Sequence, residues 1–144
     1  MHYENLYPSP SSLMESLRDI GYSMETALAD VIDNSITARA TDINIDFSWN
    51  DAKPWLAISD NGHGMDYQEL LLAMKLGSLN PLEFRKDNDL GRFGLGLKTA
   101  SFSQCRELTV VSKKENSISA MEWDLDQITE NPDTGWKVKV LDSN

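Results

Sequence analysis

From Met24 to Ala40, METALADVIDNSITARA, a step of about 100° per residue sorts the chain into two faces. Leu28, Val31, Ile32, Ser35 and Ile36 fall on one side, and Asp30, Asp33, Asn34 and Thr37 form a narrow polar stripe on the other. The spacing predicts an amphipathic helix with Ser23 as its cap and Thr26 in its first turn. A shorter helix is predicted over residues 10–20, started by Pro10 with Ser11 or Ser12, with Glu15 at capping-box distance from Ser12 and Gly21 as the stop. After Ala40 the period changes from 3.6 to 2. Ile43, Ile45, Phe47 and Trp49 alternate with polar residues, which predicts a strand with one buried side, and Trp55–Asp60 follows as its hairpin partner.

The segment Asp60–Met65, DNGHGM, carries a turn signal, yet the residues after it have helical spacing. Asp66 can cap a helix that turns Leu70, Leu71, Ala73 and Met74 inward and closes at Gly77. The order strand, glycine-bearing turn, helix puts Asp60 at a strand's C-terminal end, where open α/β sheets tend to bind ligands. Residues 78–90 are polar, contain Pro81 and show no period; a loop of that length inside a compact domain is read as a functional lid. Glycines then punctuate the run into a short helix ending near Cys105. Glu107–Lys114 and Ser117–Leu125 are predicted as a hairpin across Glu115 and Asn116, and Trp136–Val140 as a last strand.

The 144 residues suffice for a single domain, residues 1–144, and the stop soon after the last strand reads as a fragment boundary. One cysteine and two histidines leave no disulfide framework and no zinc cluster of the Cys/His type. No apolar run approaches the ~20 residues that cross a bilayer and the N-terminus lacks a signal pattern, so no membrane role and a reducing cytoplasm are expected. A formal net charge of −10 argues against direct nucleic-acid binding by this acidic chain. Local sign differs, because Arg85, Lys86, Arg92, Lys98 and Arg106 are clustered and suit a small anion.

Three groups of residues carry candidate chemistry. Asp30 and Asn34 stand one helical turn apart, so a carboxylate and a neutral carboxamide can reach one point in space. Asp60 is followed by Gly62 and Gly64. Gly91, Gly94 and Gly96 open a helix in the order G-x-x-G-x-G, the reverse of the dinucleotide fingerprint and one residue off a P-loop, with no strand in front. Closely spaced backbone N–H groups at a helix N-terminus still favour phosphate, and Lys98 lies one turn inside.

In this order the three stretches, ADVIDNSITA (29–38), DNGHGM (60–65) and GRFGLGLKTAS (91–101), resemble the motifs of the GHKL superfamily of ATPases, which includes gyrase B, Hsp90, histidine kinases and MutL. GLGLKTAS and LRDIGYSMETALADVIDNSI look most like MORC-type and Hsp90-like bacterial ATP-binding proteins. The resemblance implies a Bergerat fold: an α/β chain of the α+β two-layer type, with a mixed, mostly antiparallel sheet, helices on one face and an ATP lid over about 77–95. It implies ATP and Mg²⁺ as ligands. Asn34 would bind the metal, Asp60 would accept from the adenine amino group, and Gly62 and Gly64 would let the backbone approach the base. Ala38 and Met65 would line the apolar pocket. Backbone amides of Gly91, Arg92, Phe93, Gly94, Leu95, Gly96 and Leu97 would wrap the phosphates, with Lys98 on a terminal one. Asp30 stands where hydrolysing relatives usually carry Glu as the base, and Thr37 where they often have Asp. The family usually has a further Thr-containing strand past this chain's end. The implied activity is slow ATP hydrolysis; the alternatives are a non-hydrolysing, ATP-dependent dimerisation switch and, third, a histidine-kinase-like phosphotransfer domain.

Overall fold

The computed structural model describes residues 2–4, 8–19, 22–50, 52–75, 96–131 and 135–141. The predicted lid over 77–95, with Gly91, Arg92, Phe93, Gly94 and Leu95, lies outside the described residues, as do Gly21 and Gly77.

Helix α1 spans Pro10–Arg18. Its cap is Ser9, ahead of the predicted Ser11 or Ser12, because Pro10 fits the first helical position, where its missing N–H is not needed. Glu15 forms no capping box; it accepts from Arg106 at 2.8 Å. Helix α2 spans Met24–Thr37, and Ser23 Oγ accepts from the Thr26 N–H at 3.2 Å as expected. It stops short of Ala40 because Arg39 takes a left-handed φ of 59°. Helix α3, Tyr67–Met74, opens with a full capping box: Asp66 accepts from the Glu69 N–H and Glu69 accepts from the Asp66 N–H. Helix α4 is Gly96–Gln104. Helix α5, Leu125–Glu130, was not predicted; at six residues it has too little period to read, although Asp124 caps it through the N–H groups of Asp126 and Gln127.

Strands β1 (Ile43–Ser48) and β2 (Trp55–Asp60) form a two-stranded antiparallel sheet in which Ile43 faces Asp60 and Phe47 faces Leu56. Strands β3 (Glu107–Lys114), β4 (Ser117–Asp124) and β5 (Lys139–Leu141) form a second, three-stranded antiparallel sheet in the order β3-β4-β5. The architecture is α+β. Every described strand pair is antiparallel, so the expected mixed sheet is represented here by its antiparallel parts alone.

The core lies between the helices and one face of the three-stranded sheet. Met14 of α1, Leu70 and Met74 of α3, Phe102 of α4, Met121 and Trp123 of β4, and Leu125 and Ile128 of α5 form one buried cluster. The Trp123 indole N–H also donates to the Met74 carbonyl at 2.9 Å, tying the end of α3 to the sheet. Arg18 donates to the carbonyls of Phe102 and Cys105, fastening α1 to the end of α4. Three expectations of burial are corrected, the first being Leu71 of α3, expected inward and found 36% exposed beside the buried Leu70 and Met74. Ile45 and Phe47 are 42% and 58% exposed, since among the described residues a two-stranded sheet has neither a third strand nor a helix over its outer half. On α2 the buried positions are Ala27 and Ser35, while Ile36 is exposed.

Candidate functional site

The site is built where the C-terminal half of α2 meets the end of β2. Ser35, grouped with the apolar residues of α2 by its spacing, is 3% exposed and donates its hydroxyl to Asp60 Oδ2 at 2.8 Å. The other carboxylate oxygen, Oδ1, accepts from the Gly62 N–H at 2.8 Å. Each oxygen keeps a further lone pair. Asp60 is itself exposed, so a carboxylate of fixed orientation is presented outward.

The turn after Asp60 is fastened to α2 on one side and to the second sheet on the other. The His63 N–H donates to the Ala38 carbonyl at 3.0 Å. A Cβ at Gly62 would lie 2.8 Å from Ala38 Cβ and 2.9 Å from both Ala38 O and Asp60 Oδ1, so no side chain fits between helix and turn. Gly64 has φ +68°, and a Cβ there would stand 1.9 Å from the Lys113 carbonyl oxygen of β3. The Met65 N–H donates to Ser112 Oγ at 2.7 Å, and Ser112 is buried. Asn61, to which the motif assigns no residue type, closes the corner from behind: its side-chain oxygen accepts from the N–H groups of Thr41 and Asp42, and its amide donates to Thr41 Oγ1 and Asp42 Oδ2.

Asp30, Asn34 and Ala38 are spaced one turn apart along α2, so the stripe runs from this corner toward the start of the helix. Asn34 is exposed and Asp30 half-buried. The Asp30 carboxylate holds the phenol of Tyr22, just ahead of the Ser23 cap, above its usual pKa. Thr37 turns back onto its own helix, donating to the Asp33 carbonyl at 2.9 Å. Met65 is half-buried and packs against the core cluster.

Helix α4 packs on α2 and brings its own first turn, Gly96–Thr99. Lys98 is 1% exposed and its ammonium donates to the Lys75 carbonyl at the end of α3. Burial pushes its pKa down to about 8. Thr99 Oγ1, also in this turn, is buried and has no hydrogen-bond partner among the described residues. Neither arrangement is visible in spacing alone, because a lysine one turn inside a helix is ordinarily solvated.

The Lys98 geometry fixes a pH dependence. With a folded-state value near 8 and an unfolded value near 10.5, the unfolded chain holds more protons between those limits, so stability rises with pH across that window. The relief is complete above the unfolded value and is lost as pH falls through the folded one, amounting to about 3 kcal/mol. Urea unfolding of the parent and of Lys98→Met from pH 7 to pH 10.5 should therefore show the parent gaining on the variant. A difference that stays flat would mean the ammonium is solvated.

Residues 22–143 match the family described as histidine kinase-, DNA gyrase B- and HSP90-like ATPases, and the chain belongs to that family. Among curated relatives it is similar to "ATPase morc-1" of Caenorhabditis elegans, 35% identical over 67% of this chain and 11% of that protein. It is similar to the DNA mismatch repair protein MutL of Colwellia psychrerythraea, 36% identical over 67% of this chain and 15% of MutL. The chaperone protein HtpG of Helicobacter pylori is 32% identical over 78% of this chain and 19% of HtpG. The chain thus spans less than a fifth of the length of each. No described helix is long and apolar enough to cross a membrane.

Proposed function

We propose that this chain is a Mg²⁺-dependent ATP-binding domain that hydrolyses ATP slowly, with Asp30 as the general base. The observation that carries the reading is Asp60, clamped by Ser35 and Gly62 at the end of β2 with its free lone pairs facing outward. Such a carboxylate accepts from the amino group of adenine. Guanine offers an acceptor at that place, and two facing acceptors cost on the order of 1 to 3 kcal/mol.

The donor set fits magnesium. Among the described residues no group of three or more His, Cys, Asp or Glu is placed to hold a metal. Mg²⁺ keeps most of its waters and takes one or two protein oxygens plus phosphate, so the Asn34 carboxamide oxygen suffices. When bound, the ion neutralises charge on the phosphates. The N–H groups of the first turn of α4 would face those phosphates, and the Thr99 hydroxyl, without a hydrogen-bond partner among the described residues, lies in the same turn. Lys98 reaches a phosphate only by leaving the Lys75 carbonyl.

Hydrolysis is in-line attack by water on the γ-phosphate, with the Asp30 carboxylate orienting the water and accepting its proton. Aspartate is one bond shorter than the Glu usual there, and misplacement on the order of 1 Å costs ~10²-fold in rate. Phosphate release by the full-length protein should be slow, abolished in Asp30→Ala and retained or raised in Asp30→Glu. Release at the parent rate from Asp30→Ala would put the base elsewhere. The short Asp30 also favours a second reading, in which ATP acts as a non-hydrolysed ligand that promotes pairing of two copies; nucleotide-dependent doubling of mass without phosphate release would select it. A phosphotransfer role ranks third, since the similarity lies closer to the MORC and HtpG side of the family.

A further inference from the structure

Asn61 follows Asp60 directly, and its carboxamide uses both its acceptor and both its donor sites. Oδ1 accepts from the Thr41 N–H at 2.8 Å and the Asp42 N–H at 3.0 Å, while Nδ2 donates to Thr41 Oγ1 and Asp42 Oδ2, each at 2.8 Å. Its backbone N–H donates to the Asp42 carbonyl at 3.3 Å. Thr41 and Asp42 form the link between α2 and β1, and that link is also held from the helix side. Helix α2 ends in a Schellman motif: Arg39 is left-handed, its N–H donates to the Ile36 carbonyl at 2.9 Å, and the Ala40 N–H donates to the Ser35 carbonyl at 3.0 Å. Ser35 is the residue whose hydroxyl holds Asp60. The contacts therefore close a ring. It runs from the Ser35 hydroxyl to Asp60, along the chain to Asn61, across to Thr41 and Asp42, back to Ala40, and through the backbone to Ser35 again.

We propose that Asn61 is a positioning residue for base recognition: its carboxamide holds the link between α2 and β1 against the end of β2, and so fixes the direction in which Ser35 aims the Asp60 carboxylate at the adenine amino group. The inference rests on the assignment of Asp60 to that amino group. Asn61 acts through Asp60 and not on the nucleotide. Asn61, Thr41 and Asp42 are exposed, so water competes for each bond and singly each contributes little. Four bonds on one planar group, made to a link that the helix end already holds, leave that group a single orientation. The group must also be two-sided. A carboxylate of the same shape would still accept from the two N–H groups, but it would set an oxygen against Asp42 Oδ2 where a donor now stands. The residue that works at position 61 therefore depends on the residue at position 42.

The test compares the full-length parent, Asn61→Asp, and the reciprocal pair Asn61→Asp with Asp42→Asn. Calorimetric titration should show ATP bound about 10-fold more weakly by Asn61→Asp. The pair should return to within about 3-fold of the parent, because the carboxamide at position 42 again donates across the gap. A second ligand separates positioning from general loosening: the analogue of ATP with hydrogen in place of the amino group makes no bond to Asp60. Its affinity, weaker than that of ATP in the parent, should be the same in all three proteins. Urea unfolding run alongside checks that each is folded; if Asn61→Asp is not, Asn61→Ser, which brings no like charge to Asp42, takes its place with the same selective loss of ATP. Parent affinity for ATP in the folded single variant, an equal loss for ATP and the analogue, or no recovery in the pair would each overturn the inference. Analogue binding as tight as ATP binding in the parent would instead bring down the assignment of Asp60 to the amino group, and the inference with it.

Discussion

Gly64→Ala should unfold the corner that holds the candidate site. A Cβ at residue 64 would meet the Lys113 backbone oxygen at 1.9 Å, and that oxygen belongs to a strand paired along its length with β4. No side-chain rotation relieves such a clash; either β3 or the turn must move. The left-handed φ of +68° adds roughly 1 to 2 kcal/mol for any L residue with a Cβ. Displacing packed backbone adds about 1 to 3 kcal/mol. A total of about 2 to 5 kcal/mol is a large share of the 5 to 15 kcal/mol typical of a domain. Urea unfolding should show a free energy lowered by that amount, read as a lower midpoint with the slope unchanged. A loss below about 1 kcal/mol would mean that the turn can slide off β3 without disturbing it.

Asp60→Ala should remove most of the affinity for ATP. A hydrogen bond to a charged group is worth about 1.5 to 3 kcal/mol, so binding weakens by on the order of 10- to 100-fold. Alanine also strands the buried Ser35 hydroxyl, so some stability is lost with it. Asp60→Asn separates the two effects. Its carboxamide oxygen can still accept from Ser35 or from the Gly62 N–H, but its NH₂ presents a donor where the adenine amino group needs an acceptor. The asparagine variant should fold nearly as well as the parent and still bind ATP poorly. Parent-like ATP affinity in a folded Asp60→Asn protein would remove Asp60 from base recognition.

The strongly periodic stretches of the sequence became elements nearly as predicted. The α2 helix, the β1-β2 hairpin, the Asp66 cap of α3 and the β3-β4 hairpin follow from a 3.6 or 2.0 period plus a recognisable cap or turn. What the pattern could not show was which faces find partners. Alternation marks Ile45 and Phe47 as one face of a strand, but whether that face is covered depends on remote chain, and here it stands exposed. Ser35 illustrates the opposite case. Its place on the apolar face of α2 was legible, and a lone hydroxyl on such a face is a signal for a buried partner, which proved to be Asp60. Lys98 was not legible in its role, because its contact joins α4 to the end of α3, and no local spacing encodes the meeting of separate elements.

The central claim is that the α2 stripe and the Asp60 corner hold one nucleotide between them. Calorimetric titration of ATP into the full-length protein, with and without Mg²⁺, and into Asp60→Ala and Asn34→Ala, tests it most directly. The account predicts one ATP per chain in the parent, weak binding in Asp60→Ala, and loss of the magnesium enhancement in Asn34→Ala alone. Parent-like, magnesium-enhanced ATP binding in both variants would contradict it.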